Sequence, residues 1–443
     1  MEAETIAVLQ RLIRFDTTNP PGNELPLAQW IHESFVAEGI ESTLLTPVPD
    51  RGAVVARIHG AGVERPVLLL AHTDVVGVER DKWVHDPFGG VVEDGYLYGR
   101  GAIDDKGMLA ANLMAMRLIQ REIVAGGRTP VRDIIFLATP DEEAGGSAGM
   151  QWLVENRPDL LDAEFAINEG GRTRVLPGGK RYFAIQVAEK VSHTVTLIAR
   201  GPAGHAAIPR EGNAIFVLAD ALEKLSHYSE PTALTETTTR FFGELAHVWT
   251  DEREADAMRA ITSGQDQQIA DAASVLCTNP VFNALLRNTI SPTFLEGGVR
   301  GNVIPAEVRA RINVRTLPGH RVEDVVSRLK EVVGETDVEF SASTHGVDAP
   351  TSNPDSPMFT ALARSAKDLD PEMAVVPYMG TGATESAQLR SLGIDAYGIL
   401  PFPMVPADEE RMHGHDERVP IASLHFGTRL IYESVRRVAA GAI

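Results

Sequence analysis

Residues 68–76 read LLLAHTDVV, and with Val67 they form an unbroken apolar run that stops at His72. Residues 67–70 offer no polar face to solvent, the mark of a strand covered on both sides, as in a parallel sheet between helical layers. His72, Thr73 and Asp74 follow at the carboxyl end, where open α/β sheets gather their ligand-binding groups. An aspartate two residues beyond a histidine can also hold the second imidazole nitrogen, as metal-bound histidines require. A histidine that merely turns to solvent fits this stretch equally well, so the rest of the chain decides.

Outward from it the same texture recurs. Helical spacing over 4–15 ends at FDTTNPPGNE (15–24), where a Pro pair and a Gly break it, and a second helix is predicted over about 25–38. The β-rich runs ESTLLTP, GAVVARI and PVLLLAH precede a helical segment at 108–120, then the buried strand RDIIFLATP (132–140), a helix at 149–156 and the strand EFAINE (164–169). This alternation predicts an α/β fold, a three-layer domain around a largely parallel sheet.

From about residue 191 the pattern changes. SHTVTLIARG, NAIFVLADALEKL, TFLEGGV, AEVRARINVRT, VEDVVSRLKEVV and DVEFSAS follow in the order β-α-β-β-α-β, that of a ferredoxin-like α+β domain. A polar, mostly helical insertion at about 226–290 interrupts it and carries no readable motif. After THGVDAPTS the α/β texture returns. The expected organisation is a catalytic domain in two parts, 1–190 and 347–443, interrupted by a smaller domain at 191–346.

At 443 residues the chain exceeds one ordinary core, in keeping with two domains. Its 41 basic and 61 acidic residues leave a formal charge of −20, a surface that repels phosphate backbones and anionic lipid. Nucleic-acid and membrane binding are therefore not expected. A single cysteine, Cys277, rules out an internal disulfide framework and a thiolate-rich zinc site. No apolar run approaches membrane-spanning length, and MEAETIAVLQRLIRF lacks the architecture of a signal peptide. A cytoplasmic protein is expected.

Acids and histidines recur at strand ends. YGRGAIDDKG (98–107) sets Asp104 and Asp105 between glycines before a helix; ATPDEEAGGSAG (138–149) closes a strand with Asp141, Glu142 and Glu143. Glu169 ends another strand, and RMHGHDERV supplies His413 and His415. In a parallel sheet these clusters converge on one edge. Imidazoles and carboxylates without thiolates make a nitrogen and oxygen environment suited to a carboxylate-bridged zinc pair. Adjacent Glu142 and Glu143 could then divide metal binding from proton transfer. Singly each cluster has an ordinary reading: a solvated turn for Glu142-Glu143, a helix cap for Asp104-Asp105, a plain loop for His413-Gly414-His415.

Taken together, HTDVV, GRGAIDDKG, PDEEAGG, NEGG, GPAGHAAIP, GNVIPAEVRARINVRT and HGHDERV span nearly the whole chain. In that order they resemble the dinuclear zinc amidohydrolases and exopeptidases, the family of aminoacylase, glutamate carboxypeptidase, succinyl-diaminopimelate desuccinylase and acetylornithine deacetylase. The resemblance implies a zinc-peptidase-like α/β domain whose inserted ferredoxin-like domain acts as lid and dimerises. It implies two Zn2+ per chain, with Co2+ able to substitute: His72 and Glu169 on one, Glu143 and His413 on the other, Asp104 bridging. His413 is preferred to His415 because the family's spacing continues into Asp416 and Glu417. Asp74 would orient His72, Glu142 would be the general base, and the Asp104-Asp105 peptide would be cis. His205 would stabilise an oxyanion, often from the partner subunit, while Asn302 and Arg315 would bind substrate. In MGTGATESA (379–387) the chain departs from the family, with Thr384-Glu385 where relatives often carry Ser-Asp or Thr-Asp. The implied reaction is hydrolysis of an amide bond next to a free carboxylate, in N-acyl amino acids or short peptides. A biosynthetic deacylase, such as a desuccinylase or deacetylase, shares these motifs. An inactive binding protein on the same fold would have no need of Glu142.

Overall fold

The computed structural model describes residues 1–441. Its central strand, Glu64–His72, sorts its side chains by parity. Val67, Leu69 and Ala71 enter one core with Ile134 and Phe136; Leu68 and Leu70 enter the opposite one with Ile135 and Leu137. Alternate residues of a strand face opposite ways, so an uninterrupted apolar run is what a doubly covered strand needs. The first face is covered by the helices Glu2–Ile13, Leu25–Ala37, Lys106–Val124, Pro357–Leu369 and Ile421–Ala439. Met150–Asn156 and Ser386–Ser391 cover the second. The expected three layers are present.

The large sheet has nine strands and is mixed. Glu64–His72 runs parallel to Arg132–Thr139 and Phe165–Asn168, and Phe165–Asn168 parallel to Asp395–Gly398. The flank is antiparallel: Glu41–Val48 pairs with Arg51–Ile58, which pairs with Arg132–Thr139. Only one turn, at Asp50, links the first two, and such hairpins impose antiparallel pairing. The parallel centre nonetheless sets the carboxyl ends of the 64–72, 132–139 and 165–168 strands at one edge.

A separate antiparallel sheet takes the spatial order Thr289–Gly297, Glu307–Thr316, Val191–Arg200, Val338–Thr344. Ala214–Ser226 and Val322–Val333 pack on one face through Val195, Leu197, Ile312, Leu218 and Leu329. Element order and strand order are those of the ferredoxin-like fold read from the sequence.

Between those strands in the chain lie four helices, Glu236–Leu245, Glu252–Ile261, Asp266–Leu276 and Pro280–Leu285. In space they belong to the large sheet. Phe241, Phe242, Met258, Ile261 and Leu276 share a core with Tyr182, Val376 and Tyr378 of the Arg181–Glu189 and Ala374–Gly380 strands. The segment is polar on average because only one stripe of each helix is apolar, and that stripe covers a sheet face.

Among the described residues no helix is long and apolar enough to cross a membrane.

Candidate metal centre and active-site cleft

Asp104 sits at the middle of the site. Its Oδ1 lies 2.9 Å from Nε2 of His72, and its Oδ2 lies 3.0 Å from Nε2 of His413, so one carboxylate faces two imidazoles with one oxygen each. Glu143 Oε1 lies 3.2 Å from the same His413 nitrogen. Two groups of potential ligands result, His72–Asp104–Glu169 and Asp104–Glu143–His413, each with its ligand atoms within 4.8 Å of one another and both sharing Asp104. The Asp104-Asp105 peptide is cis.

Local structure explains how residues far apart in sequence meet. His72 and the 140–143 segment follow neighbouring parallel strands. Asp141 adopts the left-handed region (φ 72°), which the packing around it must enforce. Its carboxylate accepts from the Ala148 N–H and Ser147 hydroxyl, and the Arg51 guanidinium grips it at 2.9 Å. Asp74 ties this turn to the His72 strand, accepting the N–H groups of Glu142 and Glu143 at 3.1 Å each. The backbone carbonyl of Asp74 lies 3.0 Å from His72 Nδ1 and its carboxylate 3.4 Å away, which leaves Nε2 to face Asp104. At Glu169 the chain must reverse at once: Gly171 has φ 46°, and a Cβ there would lie 2.4 Å from the Ala184 carbonyl oxygen. The NEGG motif thus needs glycine sterically.

Glu417 performs a similar tie. Fully buried and paired with Arg100, it accepts the N–H groups of Gly101, Ile103 and Asp104 at 3.1, 2.7 and 3.1 Å. The loop bearing His413 is thereby fastened to the loop bearing Asp104. His415 points away and pairs with Glu79 at the surface.

The cleft has a volume of about 370 Å³ and is lined by Asp104, Asp105, Glu142, Glu143, Glu169 and His413, with Arg172 and Arg315 among its other walls. The five carboxylates among these residues repel one another, and Glu409, paired with Arg172, is a sixth in the lining. Burial first, and then the carboxylates of Glu385, Glu143 and Asp104, push Glu142 up to about 8. Burial and neighbouring acids likewise raise Glu169 well above the usual range. His413 goes up to about 10 through its contacts with Asp104 and Glu143. Oxygen and nitrogen donors in two adjoining sets, with a surplus of negative charge, fit a pair of divalent cations.

Arg315 lines the cleft. Its Nε donates to Asn313 Oδ1 at 3.2 Å, while its buried Nη1 has no partner. His205 and Asn302 lie elsewhere: His205 is exposed on a two-strand ribbon against Val303, and the Asn302 carbonyl accepts the Ala206 N–H. Neither residue is among those lining the cleft. Both sit on the 191–346 segment, whose position relative to the large sheet was not legible from motif spacing.

Thr384 fastens the departing loop through its N–H and hydroxyl, which both donate to Glu189 at 3.0 Å. Glu385 turns inward, accepting the Thr139 hydroxyl at 2.9 Å. Sequence reasoning missed Asn19, whose amide bridges the carboxylates of Asp74 (2.8 Å) and Asp141 (3.1 Å). The only signal was its place in TTNPPGN, which reads simply as a helix break.

The profile of peptidase family M20/M25/M40 matches residues 68–437. A probable carboxypeptidase S-like 2 of Dictyostelium discoideum is 30% identical over 365 residues, 81% of this chain and 68% of that protein. Human N-fatty-acyl-amino acid synthase/hydrolase PM20D1 is 27% identical over 417 residues, 92% of this chain and 81% of its own. Among solved structures, the M20 metallo-carboxypeptidase Sso-CP2 of Sulfolobus solfataricus superposes with a TM-score of 0.72 at 20% identity, covering 98% of both chains.

Proposed function

The chain belongs to peptidase family M20/M25/M40 and is a hydrolytic enzyme; from that premise we propose that it cleaves an amide bond next to a free carboxylate, in N-acyl amino acids or short peptides. The observation that carries this reading is the shared Asp104, with an imidazole at each oxygen and a further carboxylate beside each imidazole. His72 and Glu169 would hold one zinc ion, Glu143 and His413 the other, with Asp104 between them. When bound, such a pair supplies Lewis acidity toward the scissile carbonyl and acidifies water.

The chain's own groups do the rest. Asp74 keeps Nε2 of His72 directed inward. Glu142 lines the cleft beside the ligands but belongs to neither ligand group, which leaves its carboxylate free to take a proton from the attacking water. It then delivers that proton to the leaving amine. Arg315, which lines the cleft, receives the substrate carboxylate through its guanidinium. His205 is the oxyanion donor and Asn302 its neighbour on the ribbon. Because both face solvent in one chain, they are supplied by a second copy. The outermost strand, Thr289–Gly297, has a partner on one side only among the described residues and exposes Phe294 and Leu295, which favours a homodimer through this sheet.

Names of relatives point the same way, toward a carboxypeptidase and an N-acyl amino acid hydrolase. The test is direct. Dialysis against a chelator should abolish hydrolysis of a panel of N-acyl amino acids and dipeptides, and zinc or cobalt should restore it. Full activity in rigorously metal-free protein would overturn the assignment.

A further inference from the structure

Besides the acids and Arg315, the cleft is lined by Arg172, a charged group that the reaction outlined above does not use. Arg172 lies at the start of the Arg172–Val175 strand, pairs with Glu409 and rests on Tyr378, its guanidinium 5.9 Å from the ring centroid and its Nε 3.4 Å from the hydroxyl. Glu409 is already held by Arg174, whose Nε lies 2.8 Å from Oε2. Two guanidiniums against one carboxylate leave one positive charge in excess. The surplus is open to the cleft: Arg172 and Glu409 both line it, but 27% of the Arg172 side chain is accessible against 8% of Glu409. Arg315 brings a second, unmatched guanidinium to the same space.

A long alkyl chain lying here would strip water from charged groups without replacing their hydrogen bonds, which is costly. A carboxylate would instead meet a planar donor already oriented by Tyr378 and Glu409. Resting on the hydrolase reading above, we propose that Arg172 is a specificity-determining residue that receives a second carboxylate of the substrate, while Arg315 takes the first. That second carboxylate belongs either to a dicarboxylic acyl group or to the side chain of an acidic amino acid.

Two matched pairs of substrates separate the sources. N-succinylalanine against its terminal amide varies the charge on the acyl side; N-acetylglutamate against N-acetylglutamine varies it on the side chain. One pair should favour the carboxylate in kcat/KM by about 10–100-fold, as a hydrogen bond between charged groups contributes. Arg172→Gln should bring that ratio close to one, with metal content and thermal midpoint read as checks of folding. Arg172→Lys keeps a charge beside Glu409 and should retain a reduced preference, which covers a glutamine variant that does not fold. Ratios within about threefold in both pairs, or an Arg172 variant that slows every substrate equally and leaves the ratio intact, would overturn the proposal and make Arg172 a brace for Glu409. Calorimetric titration of the same pairs reads the contact without turnover. Selective binding lost in Arg172→Gln, without hydrolysis, sustains the specificity and removes the hydrolase reading. Hydrolysis without carboxylate selectivity does the reverse, and the absence of both removes both.

Discussion

Glu142 and Glu143 share one short turn and one tie to Asp74, yet they face different neighbours. Glu143 reaches His413, whereas Glu142 belongs to neither group of potential ligands and has its proton affinity raised by burial and by nearby acids. Glu142→Gln should therefore cut turnover by about 10²–10⁴-fold, the range for loss of a general base, with metal content kept. Glu143→Ala should lose metal, and identical behaviour of the two variants in metal analysis and kinetics would refute the division. Glu385 allows a separate test. Burial, opposed by the charge of His72 and by the Thr139 hydrogen bond, lifts its carboxyl from about 4.5 to about 7. A carboxyl raised on folding binds its proton more tightly in the folded state, so its contribution is present below pH 4.5 and is lost as pH rises toward 7. Over that window the chelator-treated protein should lose on the order of 3 kcal/mol from this group. Glu385→Gln should escape the loss, so its advantage in urea denaturation should be larger at pH 8 than at pH 5. Parallel pH dependence of the two proteins would show that Glu385 is not the responsible group.

Helices and strands divide the labour of holding these side chains. The 64–72, 132–139 and 165–168 strands bring His72, Glu143 and Glu169 together because they are parallel neighbours, whereas the 181–189 and 374–380 strands supply another part of the cleft wall through Gln186 and Tyr378. That wall depends on the four helices at 236–285. Phe242 is fully buried there, edge-on to Phe241 (5.1 Å) and Phe282 (5.5 Å), and Phe241 lies 5.6 Å from the Tyr378 ring. Phe242→Ala should destabilise the protein by about 3–5 kcal/mol, read as a lower denaturation midpoint. An unchanged midpoint would mean that these helices do not contribute to the cooperative core.

In the whole molecule, His205 lies outside the cleft that it is proposed to serve. The ribbon carrying His205 is exposed, and the Thr289–Gly297 strand, paired on one side only among the described residues, exposes Phe294 and Leu295. A second chain added at this edge would bury those side chains and could bring its own ribbon to the first chain's cleft. Mixing inactive His205→Ala and Glu142→Ala proteins should then regenerate some competent sites after subunit exchange. Exchange detected by native mass spectrometry without recovered activity would rule out donation of His205 between subunits.

The gathering of His72, Glu143 and Glu169 was legible because a long apolar strand must end at its covered edge, and polar groups placed at or just beyond the ends of parallel neighbours must meet. Asp104 and His413 lie on loops next to the small sheet of Tyr96–Tyr98 and Arg418–Pro420, and only the family's motifs pointed to them. The ferredoxin-like sheet was legible too, from the order and alternation of its strands. The antiparallel flank of the large sheet was not, since an apolar run is the same in either direction. Nor was the seat of the 236–285 helices, because an amphipathic stripe declares that it will be buried but does not name its partner. Asn19, Arg172 and Glu409 belong to the same class. Their chemistry lies in contacts across more than fifty residues of chain, and such contacts are decided by how layers pack, which no local pattern encodes.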